Sequence, residues 1–180
     1  MVSRIKRIGR EIAYEGNIIT LYNDYMVNDE GVEATWDFIN HPGAAAVVAI
    51  NDDGKILFVR QYRNSVDALT LEIPAGKLDY EGEDKLECAI RELREETGYK
   101  AGKMEWLINL HSWIAFTNEL IGVYLATELK PDEQKLDDFE YIDVEAYSVE
   151  EACDMIYKGE ITDAKTIAGI MAYINKYIRK

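Results

Sequence analysis

The residues best suited to chemistry are three glutamates in one short segment, Glu92, Glu95 and Glu96. The apolar spacing around them predicts a helix from Glu83 to Thr97. At 3.6 residues per turn, Glu95 projects about 60° to one side of Glu92 and Glu96 about 40° to the other. The three carboxylates therefore share one arc of the helix, although most acidic runs of this kind are simply solvated faces.

A divalent cation explains this clustering better than solvent does, because like charges three or four residues apart destabilise a helix. Arg91 and Arg94 offset only part of that repulsion. Carboxylate oxygens suit Mg²⁺ or Mn²⁺ rather than zinc or copper. Upstream, a predicted strand leads into a loop that contains Gly76, and the helix then starts at Glu83. Taken alone, Glu83 is an ordinary helix cap and Gly76 an ordinary turn glycine, but their succession favours a built site.

This loop and helix resemble the Nudix box, the signature of the Nudix hydrolases. The segment from Glu83 to Tyr99 matches the family pattern without a gap. The pattern differs at its front, where six residues separate Gly76 from Glu83 and the family has five. The resemblance implies an α+β fold, a Nudix α/β/α sandwich with a mixed sheet between helices.

The resemblance also assigns roles to residues of the box at 76–99. It implies four metal ligands: Glu92, Glu96, Glu95 and the carbonyl group of Ala75. Arg91 would orient the carboxylates through bidentate contacts, with Gly76 and Glu83 in supporting positions. The general base would come from the distant loop 135–140, where Glu140 and Asp138 are near-equal candidates and Glu95 is the third. The alternative for that loop is a solvated acidic turn.

Segments outside the box resemble the ADP-ribose pyrophosphatase branch of the family. They are His41–Val48, Phe58–Arg63, Leu71–Gly76 and Gly159–Thr166. One marker of that branch is altered, since Trp113-Ile114-Ala115 stands where a Ser-Pro-Gly element is usual, while Phe116 and Glu119 are kept. The resemblance thus indicates a nucleoside diphosphate sugar as substrate, with a changed wall beside the terminal sugar.

Four residues are candidates for substrate contacts. Arg63 is a candidate for a phosphate contact, although an exposed arginine at a strand end is the commoner case. Trp36 would stack on a nucleobase or else belong to the core. Phe116 and Glu119 would lie beside the terminal ribose, and Glu119 would alternatively support the metal site.

The resemblance covers nearly the whole chain and predicts one domain over residues 1–180. Residues 1–40 show alternating, turn-separated runs that predict antiparallel strands, and in this branch such strands commonly form a homodimer. Residues 41–180 would form the Nudix core.

Composition limits the partners and the compartment. A net charge of −14 makes a nucleic-acid polymer an unsuitable partner. No apolar stretch reaches the ~20 residues of a membrane span, and the charged N-terminus differs from a secretory signal. Cys88 and Cys153 have apolar neighbours, which favours free thiols over a disulfide. We therefore expect a cytoplasmic protein.

The leading functional hypothesis is Mg²⁺-dependent hydrolysis of ADP-ribose to AMP and ribose 5-phosphate. The same chemistry on GDP-mannose, UDP-glucose or NADH is the first alternative. A Nudix ligand sensor without turnover is the second, but such sensors usually lose box carboxylates that this chain keeps.

Overall fold

The computed structural model describes residues 5–80 and 82–179, so residues 1–4, Lys180 and Glu81 of the predicted box lie outside the described residues. The chain divides into two compact units. One contains the chain up to Gly43 together with the segment His111–Glu119, and the other contains the remainder. The single domain expected from the sequence stays a prediction.

The first unit contains an antiparallel sheet of three strands in the order β1-β2-β3. They are β1 (Lys6–Glu15), β2 (Thr20–Val27) and β3 (Glu33–Asn40). The β2–β3 turn is closed by the Asn28 side chain, which accepts hydrogen bonds from the N–H groups of Glu30 and Val32. The extra N-terminal antiparallel strands predicted from the sequence are thus confirmed.

The second unit is built on a mixed sheet of seven strands. They are β4 (Ala44–Ile50), β5 (Ile56–Arg63), β6 (Ala68–Glu72), β7 (Ala75–Lys77), β8 (Tyr99–His111), β9 (Leu120–Pro131) and β10 (Asp143–Tyr147). The main path runs β10-β5-β4-β9-β8, with β6 beside β5 and β7 beside β4. β4 and β9 are parallel, whereas β4 and β5 form the antiparallel hairpin expected around Asn51–Gly54.

Three helices accompany this sheet, α1 (Lys85–Thr97), α2 (Val149–Lys158) and α3 (Ala164–Tyr173), and Ile174–Ile178 continues α3 as a π-helical turn. The predicted start of α1 at Glu83 was two residues early. Asp84 is the N-cap, and its side chain accepts a hydrogen bond from the N–H of Leu86. Gly98 ends α1 in the left-handed conformation, as the sequence predicted.

Alternate residues of β4 enter two separate cores. Ala46 and Val48 pack with residues of α2 and α3, whereas Ala45 and Val47 pack with Cys88 and Leu93 of α1. Because successive side chains of a strand point to opposite faces, α1 covers one face of the sheet, and α2 with α3 covers the other. The α+β sandwich expected from the sequence is confirmed.

Two further expectations have a structural counterpart. Cys88 and Cys153 are both free thiols. None of the helices within the described residues is long and apolar enough to cross a membrane.

Candidate active site

The loop before α1 lies directly against its carboxylates. The N–H of Ala75 donates a hydrogen bond of 2.9 Å to Oε2 of Glu96, whose relative exposure is only 4%. A Cβ atom at Gly76 would stand 1.9 Å from Oε1 of Glu92. A side chain at position 76 would therefore displace the Glu92 carboxylate, and Ala75 and Gly76 form one wall of the carboxylate cluster.

Arg91 is the centre of the charge network around these carboxylates. Its Nη1 lies 2.6 Å from Glu92 and 3.3 Å from Glu95, and its Nε lies 3.2 Å from Asp79. Its guanidinium also contacts Glu83 and donates to the carbonyl of Lys77. One arginine thus ties the loop to two of the three predicted metal ligands, although its catalytic role stays a prediction.

Glu83 does not cap the helix, which corrects that interpretation of the residue. Its carboxylate is buried and accepts a hydrogen bond of 2.7 Å from the N–H of Asp79. The same carboxylate accepts from Arg91. Glu83 therefore closes the loop on itself and accepts from Nε and Nη2 of Arg91, whose Nη1 lies against Glu92.

The electrostatics of the cluster raise two carboxyl pKa values. Burial is the main cause for Glu96, whose pKa rises to about 8 despite the hydrogen bond from Ala75, with contributions from Glu92 and Glu140. For Glu92, burial outweighs the stabilising charge of Arg91 and raises the pKa to about 7, with further contributions from Glu95 and Glu140. These groups hold negative charge reluctantly, so the site favours a cation.

The loop that contains the candidate bases lies near the same carboxylates. The charge of Glu140 contributes to the raised pKa of both Glu92 and Glu96. The Glu140 carboxylate accepts a hydrogen bond of 3.2 Å from the N–H of Asp137. Asp138 is exposed in the same loop. The structure therefore brings Glu140 into electrostatic contact with the cluster.

Arg63 is engaged by a second buried carboxylate. Its Nε and Nη2 each donate a hydrogen bond of 2.8 Å to Glu72. Lys165 lies 2.5 Å from the same carboxylate and 3.0 Å from Asp163. The pKa of Arg63 is raised mainly by Glu72, with a smaller contribution from Glu96. Arg63 thus lies near the cluster, held along one edge by Glu72.

The remaining predicted substrate residues belong to the first unit. Trp36 lies on β3 and is 48% exposed, so it is not a core residue. Phe116 and Glu119 line a cavity of about 320 Å³, where Trp113 packs edge-on against Phe116 at 5.1 Å. Nδ1 of His41 lies 3.5 Å from Glu119 in this cavity. The other lining residues are Ile18, Ile19, Ile39, Ser112 and Thr117.

Comparisons with known proteins decide the family. The NUDIX domain family matches residues 40–170. The chain belongs to the Nudix hydrolase family. A Bacillus subtilis (strain 168) protein named ADP-ribose pyrophosphatase is 37% identical over 176 residues, which are 97% of this chain and 92% of that protein. A Bacillus methanolicus protein named methanol dehydrogenase activator is 38% identical over 167 residues, 92% of this chain and 90% of that protein.

A solved structure supports the fold of this Nudix hydrolase. The crystal structure of an ADP compounds hydrolase superposes with a TM-score of 0.87 and covers 100% of this chain and 99% of that chain. Its sequence identity to this chain is 19%, so the similarity supports the fold alone. The predicted family, the ADP-ribose pyrophosphatase-like branch and the fold are all confirmed.

The extra residue between Gly76 and Glu83 does not separate the loop from the helix. The N–H of Glu83 donates to the carbonyl of Tyr80 at 3.2 Å, and the N–H of Asp79 donates to the Glu83 carboxylate. Gly76 still lies against Glu92. The six-residue spacing therefore leaves the contact between loop and helix intact.

The Nudix carboxylates fit a divalent metal, which members of the family generally use. In the described part of the chain no three His, Cys, Asp or Glu side chains already surround one point. Instead, Arg91 lies 2.6 Å from Glu92 and 3.3 Å from Glu95. Carboxylate oxygens are ligands that suit a hard divalent cation.

The sequence did not identify several residues of this site. Asp79 contacts Arg91, Glu72 contacts Arg63, and Lys165 contacts Glu72. Gln134 donates from its side-chain amide to the carbonyl of Glu96 at 2.6 Å. The one sequence signal for Gln134 was its position beside the acidic loop 135–140.

Proposed function

We propose that this chain is a pyrophosphatase that uses Mg²⁺, or Mn²⁺, to hydrolyse the diphosphate bond of a nucleoside diphosphate sugar, with ADP-ribose as the first candidate. The observation that carries the proposal is the buried cluster of Glu92 and Glu96, with raised pKa values, next to Glu140 and the Ala75–Gly76 loop. The similarity of the whole chain to a protein named ADP-ribose pyrophosphatase supports the substrate class.

Glu92, Glu96 and Glu95 would hold the cation, with the carbonyl group of Ala75. A bound divalent ion supplies positive charge that neutralises the diphosphate and makes a water molecule more acidic. Arg91 keeps two of the carboxylates in place from the protein side, and Glu83 holds Arg91. Arg63, fixed by Glu72, presents its remaining N–H groups to a substrate phosphate.

Glu140 is the general base in this proposal, ahead of Asp138 and Glu95. It accepts a proton from the attacking water, whose oxygen forms a bond to phosphorus while the bridging P–O bond breaks. The second phosphate leaves as the monoester. Glu140 is favoured because its charge acts on both Glu92 and Glu96, whereas Glu95 is already paired with Arg91.

Phe116 and Glu119 stay the proposed contacts to the terminal ribose and line a cavity of the first unit, and Trp36, the proposed contact to the nucleobase, has an exposed aromatic face. The altered Trp113-Ile114-Ala115 element bears on which sugar is preferred, since Trp113 lines the same cavity.

We also propose a homodimer formed through the N-terminal strands. Ile8, Ile12 and Tyr14 of β1 are 51%, 56% and 62% exposed. Such a row of apolar side chains is typical of an interface. Sedimentation of the wild type at micromolar concentration should give a dimer and Ile12→Asp a monomer, and a monomeric wild type would refute the proposal.

The free thiols favour the cytoplasm, which cell fractionation would test.

The central experiment measures phosphate release, coupled to a phosphatase that acts on the monoester products. The substrates are ADP-ribose, NADH, GDP-mannose and UDP-glucose with Mg²⁺, and the enzymes are the wild type, Glu140→Gln and Asp138→Asn. We expect fastest turnover of ADP-ribose and a loss of about 10² to 10⁴-fold in kcat for Glu140→Gln only.

Each other outcome has a definite meaning. Faster turnover of another sugar nucleotide would keep the chemistry and change the substrate. A loss confined to Asp138→Asn would move the base to that residue. Binding of ADP-ribose without turnover of any substrate would favour a ligand sensor.

A further inference from the structure

The loop with the proposed base is attached to the metal-binding helix at a few points near its start. The segment Asp132–Lys135 runs along the last turn of α1. The N–H of Asp132 donates to the carbonyl of Gly98 at 2.7 Å, and the N–H of Lys135 donates to the carbonyl of Glu95 at 3.0 Å. These bonds satisfy carbonyl groups that a helix leaves free at its C-terminal end.

The close approach requires glycine at the end of the helix. A Cβ atom at Gly98 would stand 3.2 Å from the backbone nitrogen of Gln134 and 3.3 Å from the carbonyl oxygen of Asp132. Asp132 is also held by salt bridges to Arg94 at 2.6 Å and Lys100 at 2.8 Å. The start of the loop is therefore fixed to the helix.

One side chain reaches both ends of the loop. Nε2 of Gln134 donates to the carbonyl of Glu96 at 2.6 Å and to the carbonyl of Ile142 at 3.5 Å. The first carbonyl belongs to Glu96, the most buried of the three predicted ligand glutamates, and the second lies just beyond Glu140. Between them, residues 137–141 are exposed. The Gln134 amide therefore closes the loop around the segment that contains Glu140.

We propose that Gln134 is a positioning residue for the reaction, which rests on the proposed function of Glu140. Its amide ties the two ends of the loop to the backbone of Glu96 and so fixes the distance between the base and the carboxylate cluster. Only a side chain with two N–H donors and this length fills the role, because both partners are carbonyl oxygens.

The test is a double-mutant cycle between Gln134 and Glu140. Gln134→Met keeps the length and removes both donors, and Gln134→Glu keeps the shape and places an acceptor against the carbonyls. We expect either substitution to lower kcat about tenfold, with KM nearly unchanged, because a base displaced by a fraction of an ångström loses much of its rate. In the Glu140→Gln background neither substitution should lower kcat further.

Controls separate positioning from general damage. Glu133→Gln changes the adjacent exposed residue and should leave kcat and KM at wild-type values, and Mn²⁺ affinity measured by electron paramagnetic resonance should be the same in Gln134→Met as in the wild type. A tenfold loss in both backgrounds, or unchanged kcat in Gln134→Met, would overturn the positioning role. Full activity of Glu140→Gln alone would instead show that the base assignment has failed, and the inference would fall with it.

Discussion

Two buried glutamates of the second unit have opposite electrostatic environments. Burial disfavours the charge of Glu72, yet hydrogen bonds from Arg63 and the charge of Lys165 overcome it and lower the pKa to about 2. Burial also disfavours the charge of Glu96, and there Glu92 and Glu140 add to the effect and raise the pKa to about 8. The fold thus places cationic side chains against Glu72, whereas the carboxylates of Glu92 and Glu140 lie near Glu96.

The difference between Glu72 and Glu96 is the one expected between a structural carboxylate and the metal ligand that we propose. Glu72 connects β6 to the start of α3 through Lys165, and next to it Thr166 accepts a hydrogen bond from the N–H of Ile73. These bonds hold the strand that leads to Ala75 and Gly76. The Glu72 network therefore stabilises the platform on which the Glu96 cluster is built, and substitutions should separate the two roles.

The largest expected effect is that of Glu96→Gln on activity. The substitution removes a ligand charge, and a loss of about 4 kcal/mol of transition-state stabilisation corresponds to about a 10³-fold fall in kcat/KM. In EDTA near pH 7 the variant should unfold at the same urea concentration as the wild type or a higher one, since glutamine resembles the protonated acid. A clear loss of stability would place Glu96 with Glu72 as a structural residue.

Glu72→Gln should lower the stability of the protein, and this effect should be smaller than the loss of activity in Glu96→Gln. It leaves Arg63 and the half-buried Lys165 without their shared partner, for which we expect a fall of about 2 to 3 kcal/mol in the free energy of unfolding by urea at pH 7. Glu145→Gln is the matched control, because Glu145 pairs with Arg60 nearer the surface and should cost less than about 1 kcal/mol. Equal losses in the two variants would contradict the special role of Glu72.

The pH dependence of stability gives the finest distinction between Glu72 and Glu96. The contribution of Glu72 is lost as the pH falls, and that of Glu96 as the pH rises. The lowered pKa of Glu72 means that its contribution to stability is fully present above its ordinary value of 4.5 and is lost as the pH falls toward about 2. The raised pKa of Glu96 means that the metal-free protein loses stability as the pH rises from 4.5 to about 8. Urea unfolding of the wild type against each glutamine variant, in EDTA across this range, measures both.

Addition of Mg²⁺ should act on the stability contribution of the carboxylate cluster and not on that of Glu72. Because the ion binds the folded protein, it should raise the stability of the wild type most at the upper end of the pH range, where the carboxylates must ionise. It should leave the difference between the wild type and Glu72→Gln unchanged. A Mg²⁺ effect that is equal at pH 5 and pH 8 would argue against the carboxylate cluster as its site.

The sequence determined a large part of the candidate site because that part is local. Helical periodicity places Glu92, Glu95 and Glu96 on one arc, and Gly98 ends the helix, so α1 is predictable to within two residues at its start. The position of Gly76 beside the helix is also predictable from the local sequence, since strand, loop and helix follow one another along the chain. By contrast, the sequence of β4 does not show which side chains face which helix, because every residue of the strand is apolar. Only the sheet shows that alternate side chains enter two different cores.

Contacts between segments far apart in the chain were decided by tertiary structure alone. Glu72 and Lys165 are 93 positions apart, and Gln134 and Glu96 are 38 apart. No local periodicity records such pairs, because their geometry depends on how strands and helices pack. The sequence thus indicated which residues are candidates for the chemistry, while the fold decided that Glu72 is paired with cationic side chains and that Glu96 lies among other carboxylates.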